Sequence, residues 1–135
     1  MFVKLLLAAF LLMHGLIHAL FLAPAPAATA GGPSWPFEIS RSWVLTPLGL
    51  DPGVIRMIGL ALFAATVAGF AVAAVATLGA LPAGLWVGGV VLGSIASLAL
   101  LGLFFQPWLV LGVAIDVVLL AVVLGNGWRP EGLGA

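Results

Sequence analysis

Six polar residues lie inside long apolar stretches of this sequence and are its candidates for chemistry. An ionisable side chain at membrane depth costs several kcal/mol unless it is paired or hydrated. Such residues therefore mark a binding site, a proton path or a contact between helices. The candidate polar cluster consists of His14, His18, Arg56, Asp116, Ser94 and Ser97.

The two histidines are four residues apart, so both lie on one face of a helix. This spacing allows two imidazoles to share a metal ion, with a third ligand required from Asp116 or Glu38. Either histidine could also be a single axial haem ligand, although two side chains of one helix cannot grip the same haem from both faces. A proton relay is a third interpretation, and hydrogen bonds that tie helices together are a fourth.

Asp116 needs a nearby cation to stay charged in an apolar layer, and Arg56 is its natural partner. Arg56 could instead extend to the membrane surface. At a rise of about 1.5 Å per residue, His14 and Asp116 both lie about 12 Å from the bundle end that carries the first loop, and His18 roughly 6 Å. We therefore expect Asp116 to face the bundle interior, within reach of at least one of His14, His18 and Arg56.

The first loop is long, proline-rich and aromatic in its second half. Tryptophans beside charged and polar residues are typical of a segment at the depth of the lipid headgroups. This segment could cover the polar cluster as a lid, or it could be a plain interfacial anchor. The candidate lid residues are Trp35, Glu38, Arg41 and Trp43.

Composition identifies the environment in which these residues must work. Of 135 residues, 64% are hydrophobic and 6% are charged, and the mean hydropathy is +1.37. Charged residues make up about a quarter of a typical globular protein, so this chain must meet a lipid bilayer over most of its surface. Four Lys and Arg residues balance four Asp and Glu residues, which excludes a basic surface for nucleic acid.

The sequence lacks the residues that several classes of chemistry require. With no cysteine, the chain has no disulfides, thiolate metal sites or cysteine nucleophile. It also has no nucleotide-binding loop, catalytic triad or HExxH helix. We therefore do not expect an enzyme, and no cofactor is firmly implied.

Four apolar stretches are long enough to cross a membrane as helices, at residues 2–22, 54–78, 85–105 and 108–124. Pro24 and Pro26 end the first, while Asp51 can cap the second and Pro52 can occupy its first turn. Short connections after the second and third spans require antiparallel neighbours. The sequence predicts an all-α integral membrane four-helix bundle, up-down-up-down, with an interfacial first loop and one domain over residues 1–135.

Small residues on the second and third spans predict close helix packing. They form one ridge on each helix, which either closes the bundle or provides the seam of a homodimer. The expected partners are the lipid bilayer and either a second copy or a larger membrane complex. The ridges are Ala61, Ala65, Gly69 and Ala73, with Gly89 and Gly93.

The amino terminus has a second interpretation, as a secretory signal peptide cleaved after Ala28-Thr29-Ala30. Its apolar run is longer than the apolar segment of a signal peptide, which usually has about 7–15 residues. It also carries His14 and His18, which a discarded segment does not need. We therefore expect the first span to be retained.

The positive charges do not decide the orientation in the membrane, because two lie at each end of the bundle. Lys4 precedes the first span in the way that holds an amino terminus inside, which favours cytoplasmic termini in the cell membrane. The two pairs are Lys4 with Arg129 and Arg41 with Arg56.

Short motifs along the chain resemble those of small bacterial four-span membrane proteins, DoxX-like in the broad sense. Such proteins are sometimes labelled permeases or accessory oxidoreductase subunits, and the resemblance implies no established activity or cofactor. The matching residues are His14-Gly15-Leu16-Ile17-His18, Arg56 with Gly59, and Pro107-Trp108 leading to Gly112 and Asp116.

Three functions follow from these residues. The shortage of chemistry favours a non-enzymatic structural or accessory bundle. The shared depth of the polar residues favours the alternative, a binder or carrier of a small molecule, metal ion or proton. A redox subunit holding a haem or quinone is the third.

Overall fold

The computed structural model describes residues 1–27, 30–32 and 35–130, and within these ranges every regular element is helical. The first helix continues as a 3₁₀ turn, and the fourth is preceded by a 3₁₀ turn and followed by a π-helical turn. The helices are α1 (Phe2–Ile17), α2 (Pro52–Thr77), α3 (Ala83–Leu103) and α4 (Val110–Leu120), with the turns His18–Leu22, Pro107–Leu109 and Ala121–Gly125.

Together with their turns, the four helices are long and apolar enough to cross a membrane. This confirms the predicted all-α class with four candidate spans, and it indicates a multi-pass membrane protein. Asp51 caps α2 as expected, because its Oδ1 accepts the Gly53 amide hydrogen at 2.8 Å. The cap explains why α2 begins at Pro52 rather than at the predicted residue 54. The spans are Phe2–Leu22, Pro52–Thr77, Ala83–Leu103 and Pro107–Gly125.

The closest helix contact in the bundle is the crossing of α2 and α3, where glycines face each other. A Cβ added to Gly69 would lie 2.7 Å from the Cα of Gly93, and one added to Gly89 would lie 2.7 Å from the carbonyl oxygen of Gly69. Ala73 is fully buried beside them. The predicted ridges therefore meet inside the bundle at these four residues.

The two ends of the described chain, near Lys4 and Pro130, lie at the end of the bundle that holds the turn between α2 and α3. Lys4, Gly79 and Pro130 line one cleft there, and the rings of Trp86 and Trp128 are 5.5 Å apart. The up-down-up-down order follows, with α1 packed on α2, α2 on α3 and α3 on α4.

Two apolar clusters divide the core along the bundle axis. The cluster near the termini includes Phe70 and Trp86, and the cluster near the first loop includes Phe21, Leu100 and Phe104. On α1 and α3, the candidate polar residues fall between these two clusters.

The first loop is fastened to the carboxyl end of α3. The Ser42 hydroxyl donates to the Leu103 carbonyl oxygen at 2.6 Å, and Trp43 Nε1 donates to the Gly102 carbonyl oxygen at 2.8 Å. These bonds satisfy carbonyl groups that a helix end leaves without partners. The loop is therefore part of the bundle, and its residues have fixed positions at this end of the helices. Ala28 and Thr29, at the alternative cleavage site, lie outside the described residues.

Candidate functional site

The site is built around Asp116, a fully buried carboxyl on α4. His14 on α1 reaches it across the bundle, with 2.9 Å between His14 Nε2 and Asp116 Oδ1. The sequence placed these two residues at the same depth, and the structure joins them directly. This hydrogen bond connects the first and last spans.

Ser97 on α3 connects Asp116 to the second histidine. Its hydroxyl oxygen lies 2.5 Å from Asp116 Oδ2 and 2.8 Å from His18 Nε2. One hydroxyl thus bridges a carboxyl and an imidazole that the sequence separates by 98 positions, from 18 to 116. His18, Ser97, Asp116 and His14 form a continuous hydrogen-bonded chain, which we call the relay.

Backbone geometry determines the tautomer of His18. Its Nδ1 lies 3.0 Å from the carbonyl oxygen of His14, one turn earlier. A carbonyl oxygen can only accept, so Nδ1 carries a hydrogen and donates it. In neutral His18, Nε2 is consequently a bare acceptor that faces Ser97.

Aromatic packing holds the His14 ring in place. The ring is edge-to-face with Phe70 of α2 at 4.9 Å and edge-to-face with His18 at 5.6 Å. Gly15 allows this approach, because a Cβ there would lie 3.0 Å from the Cβ of Phe70. The glycine of the His-Gly-x-x-His motif thus has a packing role that orients the neighbouring histidine.

The contacts of the relay can all be hydrogen bonds only if it holds one extra proton. Ser97 has one hydroxyl hydrogen, yet its oxygen makes two hydrogen bonds, to His18 Nε2 and Asp116 Oδ2. The second bond needs a hydrogen from His18 Nε2 or from the Asp116 carboxyl. The observed contacts therefore require one proton more than a neutral imidazole and a carboxylate supply.

In the described part of the chain, no group of three or more His, Asp or Glu residues is placed to hold a metal ion. His14 Nε2 is bonded to Asp116, and Glu38 lies in the loop, bonded to Ser40 at 2.6 Å. Two histidines and one carboxyl do meet here, but as a hydrogen-bonded chain.

Of the three candidate partners of Asp116, Arg56 makes no contact with it in the described structure, and the alternative that Arg56 extends to the surface fits its position. It is exposed on the first turns of α2 and lines a cleft with Trp35 and Glu38. Among the described residues, the Asp116 carboxyl bonds His14 and Ser97. The long arginine side chain can stay at the surface of the bundle, where its charge keeps its hydration.

Ser94 belongs to the predicted cluster by depth but not by contact. Its side chain is fully buried, and its hydroxyl has no hydrogen-bond partner among the residues that the structure describes. One turn of α3 therefore carries a bridging serine and an unpartnered one.

The four candidate lid residues line an open cleft of about 440 Å³ at the loop end, rather than covering the relay. Phe37 of the first loop lines a cavity with His14 and His18 and packs on Phe21 at 5.3 Å. Sequence analysis did not single out Phe37 or Phe70 for the site. An aromatic residue in an apolar chain carries no signal that separates a site wall from the general core. The lid set is Trp35, Glu38, Arg41 and Trp43.

No protein family, curated protein or solved structure matches this chain. The resemblance to DoxX-like proteins therefore stays a prediction, and the argument about function depends on the relay itself.

Proposed function

We propose that this protein is a non-enzymatic multi-pass protein of the cell membrane that binds an exchangeable proton at the relay, with both termini in the cytoplasm. The double contact of the Ser97 hydroxyl carries the proposal, because it requires one shared proton between His18 and Asp116. The orientation is supported by Lys4, which lies in the first turn of the first span.

With one extra proton, two arrangements of hydrogens satisfy every contact. In the ionic arrangement, His18 is an imidazolium that donates to Ser97, and Ser97 donates to the Asp116 carboxylate. In the neutral arrangement, the Asp116 carboxyl donates to Ser97, and Ser97 donates to His18. A shift of two hydrogens along the bonds converts one arrangement into the other, with no change in total charge.

Losing the shared proton is costly in this environment. It leaves a net negative charge on the fully buried Asp116 and removes the hydrogen from one of the two Ser97 contacts. Release must therefore be accompanied by a movement of the helices or by an incoming hydrogen-bond donor or cation. Such coupling is what a proton-linked binder or carrier needs.

The elements around Asp116 contribute few other titratable groups. His14 and His18 face it from α1 and its 3₁₀ turn. α3 contributes Ser97, and α2 contributes Phe70 through its contact with His14. Charged Arg56 and Glu38 lie together at a separate cleft.

A proton inventory tests the proposal. At neutral pH, ¹⁵N NMR should detect His18 as an imidazolium, or infrared spectroscopy should detect a protonated carboxyl that Asp116→Asn removes. Titration to alkaline pH should release one proton more from the wild type than from Asp116→Asn. If neither an imidazolium at His18 nor a protonated carboxyl at Asp116 is detected at neutral pH, the proposal is contradicted.

A purely structural role is the second candidate, and it is favoured by the position of α4. This span is the least buried of the four, at 17%, and Asp116 connects it to α1 and α3. Under this alternative, the extra proton leaves only when the bundle unfolds. The same titration, followed by circular dichroism, distinguishes the two.

A further inference from the structure

A cavity of about 180 Å³ lies between α1 and α4, directly beside the relay. Its lining side chains are apolar apart from the two imidazoles and the indole N–H of Trp108. It occurs here because α1 packs on α2 and α4 packs on α3, which leaves α1 and α4 apart. Lining residues include His14, His18, Phe21, Phe37, Leu109 and Gly112.

The cavity opens toward the lipid. Three of its lining residues, Ile17, Trp108 and Leu111, are also among the exposed large hydrophobic side chains, at 57%, 74% and 69% exposure. A molecule dissolved in the hydrocarbon layer could enter past these side chains without crossing the core.

His14, which lines this cavity, has a hydrogen-bond acceptor without a partner in the described structure. Its Nε2 is bonded to Asp116 Oδ1, which has no hydrogen in either arrangement described above. Nε2 is therefore the donor, and Nδ1 of the neutral imidazole is a bare acceptor. Nδ1 makes no hydrogen bond within the described residues, while the residue as a whole is only 7% exposed.

The cavity has about the volume of a single six-membered ring. An apolar cavity of about 150 Å³ binds benzene, so this cavity of about 180 Å³ has room for a six-membered ring with small substituents. Phe21 and Phe37 pack edge-to-face at 5.3 Å on its wall, a surface that suits another aromatic ring.

We propose that this cavity binds the ring of a lipid-soluble phenol, whose hydroxyl donates a hydrogen bond to His14 Nδ1. A lipid acyl chain has no donor to offer. The inference goes beyond proton binding and shares with it only the tautomer of His14.

The test uses two probes of nearly equal size, p-cresol and p-xylene, which differ in a hydroxyl and a methyl group. Equilibrium dialysis against lipid nanodiscs with the protein, corrected by empty nanodiscs, gives binding relative to plain lipid. One net hydrogen bond predicts that p-cresol binds about 3- to 10-fold more tightly. Equal binding of the two probes would assign the cavity to acyl chains and overturn the inference, as would binding of neither.

A filling variant locates the binding. Leu111→Trp adds a large ring at the mouth of the cavity and should weaken p-cresol binding by about tenfold or more. Leu92→Trp is the matched control, because Leu92 is 51% exposed on α3 and is not among the lining residues. An equal loss of p-cresol binding in the two variants would contradict binding in this cavity. Leu111 makes no bond in the relay, so proton release measured in Leu111→Trp separates a failure here from a failure of the proton site.

Discussion

Two serines one turn apart on α3 provide a controlled comparison at the scale of single residues. Both are fully buried, but the Ser97 hydroxyl bridges His18 and Asp116 while the Ser94 hydroxyl has no partner in the described structure. Removing a buried bridging group leaves its partners unsatisfied, whereas removing an unpartnered hydroxyl does not.

We therefore expect Ser97→Ala to destabilise the bundle by about 1–3 kcal/mol and Ser94→Ala to be neutral or slightly stabilising. Denaturation of the protein in a mild detergent, followed by circular dichroism, measures both. Similar losses for the two serines would mean that the bridge contributes little.

Substitutions of Asp116 distinguish a carboxylate from a hydrogen-bonded carboxyl. Asparagine can reproduce the neutral arrangement, because its oxygen accepts from His14 and its amide donates to Ser97. Because Arg56 is not the partner, Asp116→Asn leaves no buried cation without a counter-charge. We expect Asp116→Leu, which leaves both partners unpaired, to be less stable than Asp116→Asn by about 2–4 kcal/mol. Equal stability of the two variants would argue against the hydrogen-bonding role.

Depth along a helix could be predicted from the sequence, but rotation about the helix axis could not. Counting residues from the span ends placed His14 and Asp116 at one level, and they are bonded. The same count admitted Arg56 and Ser94, because spans that are apolar on every face do not reveal which side faces the interior. Only the packed structure separates the bonded polar residues from the others.

At the scale of helices, the α2–α3 crossing depends on glycines that face backbone. A Cβ on Gly89 would lie 2.7 Å from the Gly69 carbonyl oxygen and 2.8 Å from the Ala73 amide nitrogen, whereas a Cβ on the adjacent Gly88 meets nothing within 4 Å. Backbone atoms cannot move aside as a flexible side chain can.

Gly89→Ala should accordingly destabilise the bundle by about 1–3 kcal/mol through overpacking. Gly88→Ala should be neutral or stabilising by up to about 1 kcal/mol, because alanine favours the helix. Thermal unfolding of the two variants in the same detergent is the measurement. If Gly89→Ala were as stable as Gly88→Ala, the close crossing would be wrong.

The first loop adds a local pH dependence of its own. The Ser40 hydroxyl and then the Ser40 amide donate to Glu38, and these bonds lower the pKa of that carboxyl. A lowered pKa in the folded state stabilises the loop above the ordinary pKa of glutamate, and this contribution disappears as the pH falls through the folded value.

Ser40→Ala should raise the pKa of Glu38 toward its ordinary value, because the larger of the two stabilising bonds is removed. A ¹³C NMR titration of the Glu38 carboxyl measures the change. Ser42→Ala is the control, since Ser42 bonds Leu103 rather than Glu38. An unchanged pKa in Ser40→Ala would contradict the assigned cause.

At the scale of the whole molecule, the fold could be predicted almost completely, because four long apolar runs separated by proline and glycine admit few other arrangements in lipid. The packing of the first loop against α3 could not be predicted, because it depends on particular side-chain contacts. Ser42 and Trp43 bind the last carbonyls of α3, and a Cβ on Gly59 would be within 2.8 Å of the Ile39 side chain. No periodicity in the sequence encodes such contacts.

The arrangement of the chain ends gives the last prediction. Phe2 and Asn126 lie at the end of the bundle near the α2–α3 turn, and Leu48 lies in the first loop at the opposite end; all three are exposed. Because the chain contains no cysteine, Phe2→Cys, Asn126→Cys and Leu48→Cys each introduce a single thiol. An impermeant maleimide added to intact cells should label Leu48→Cys alone, and should label the other two only after permeabilisation if the termini are cytoplasmic. Labelling of Phe2→Cys and Asn126→Cys from opposite sides would contradict an even number of spans, since a polypeptide that crosses the bilayer four times must return to the side on which it began.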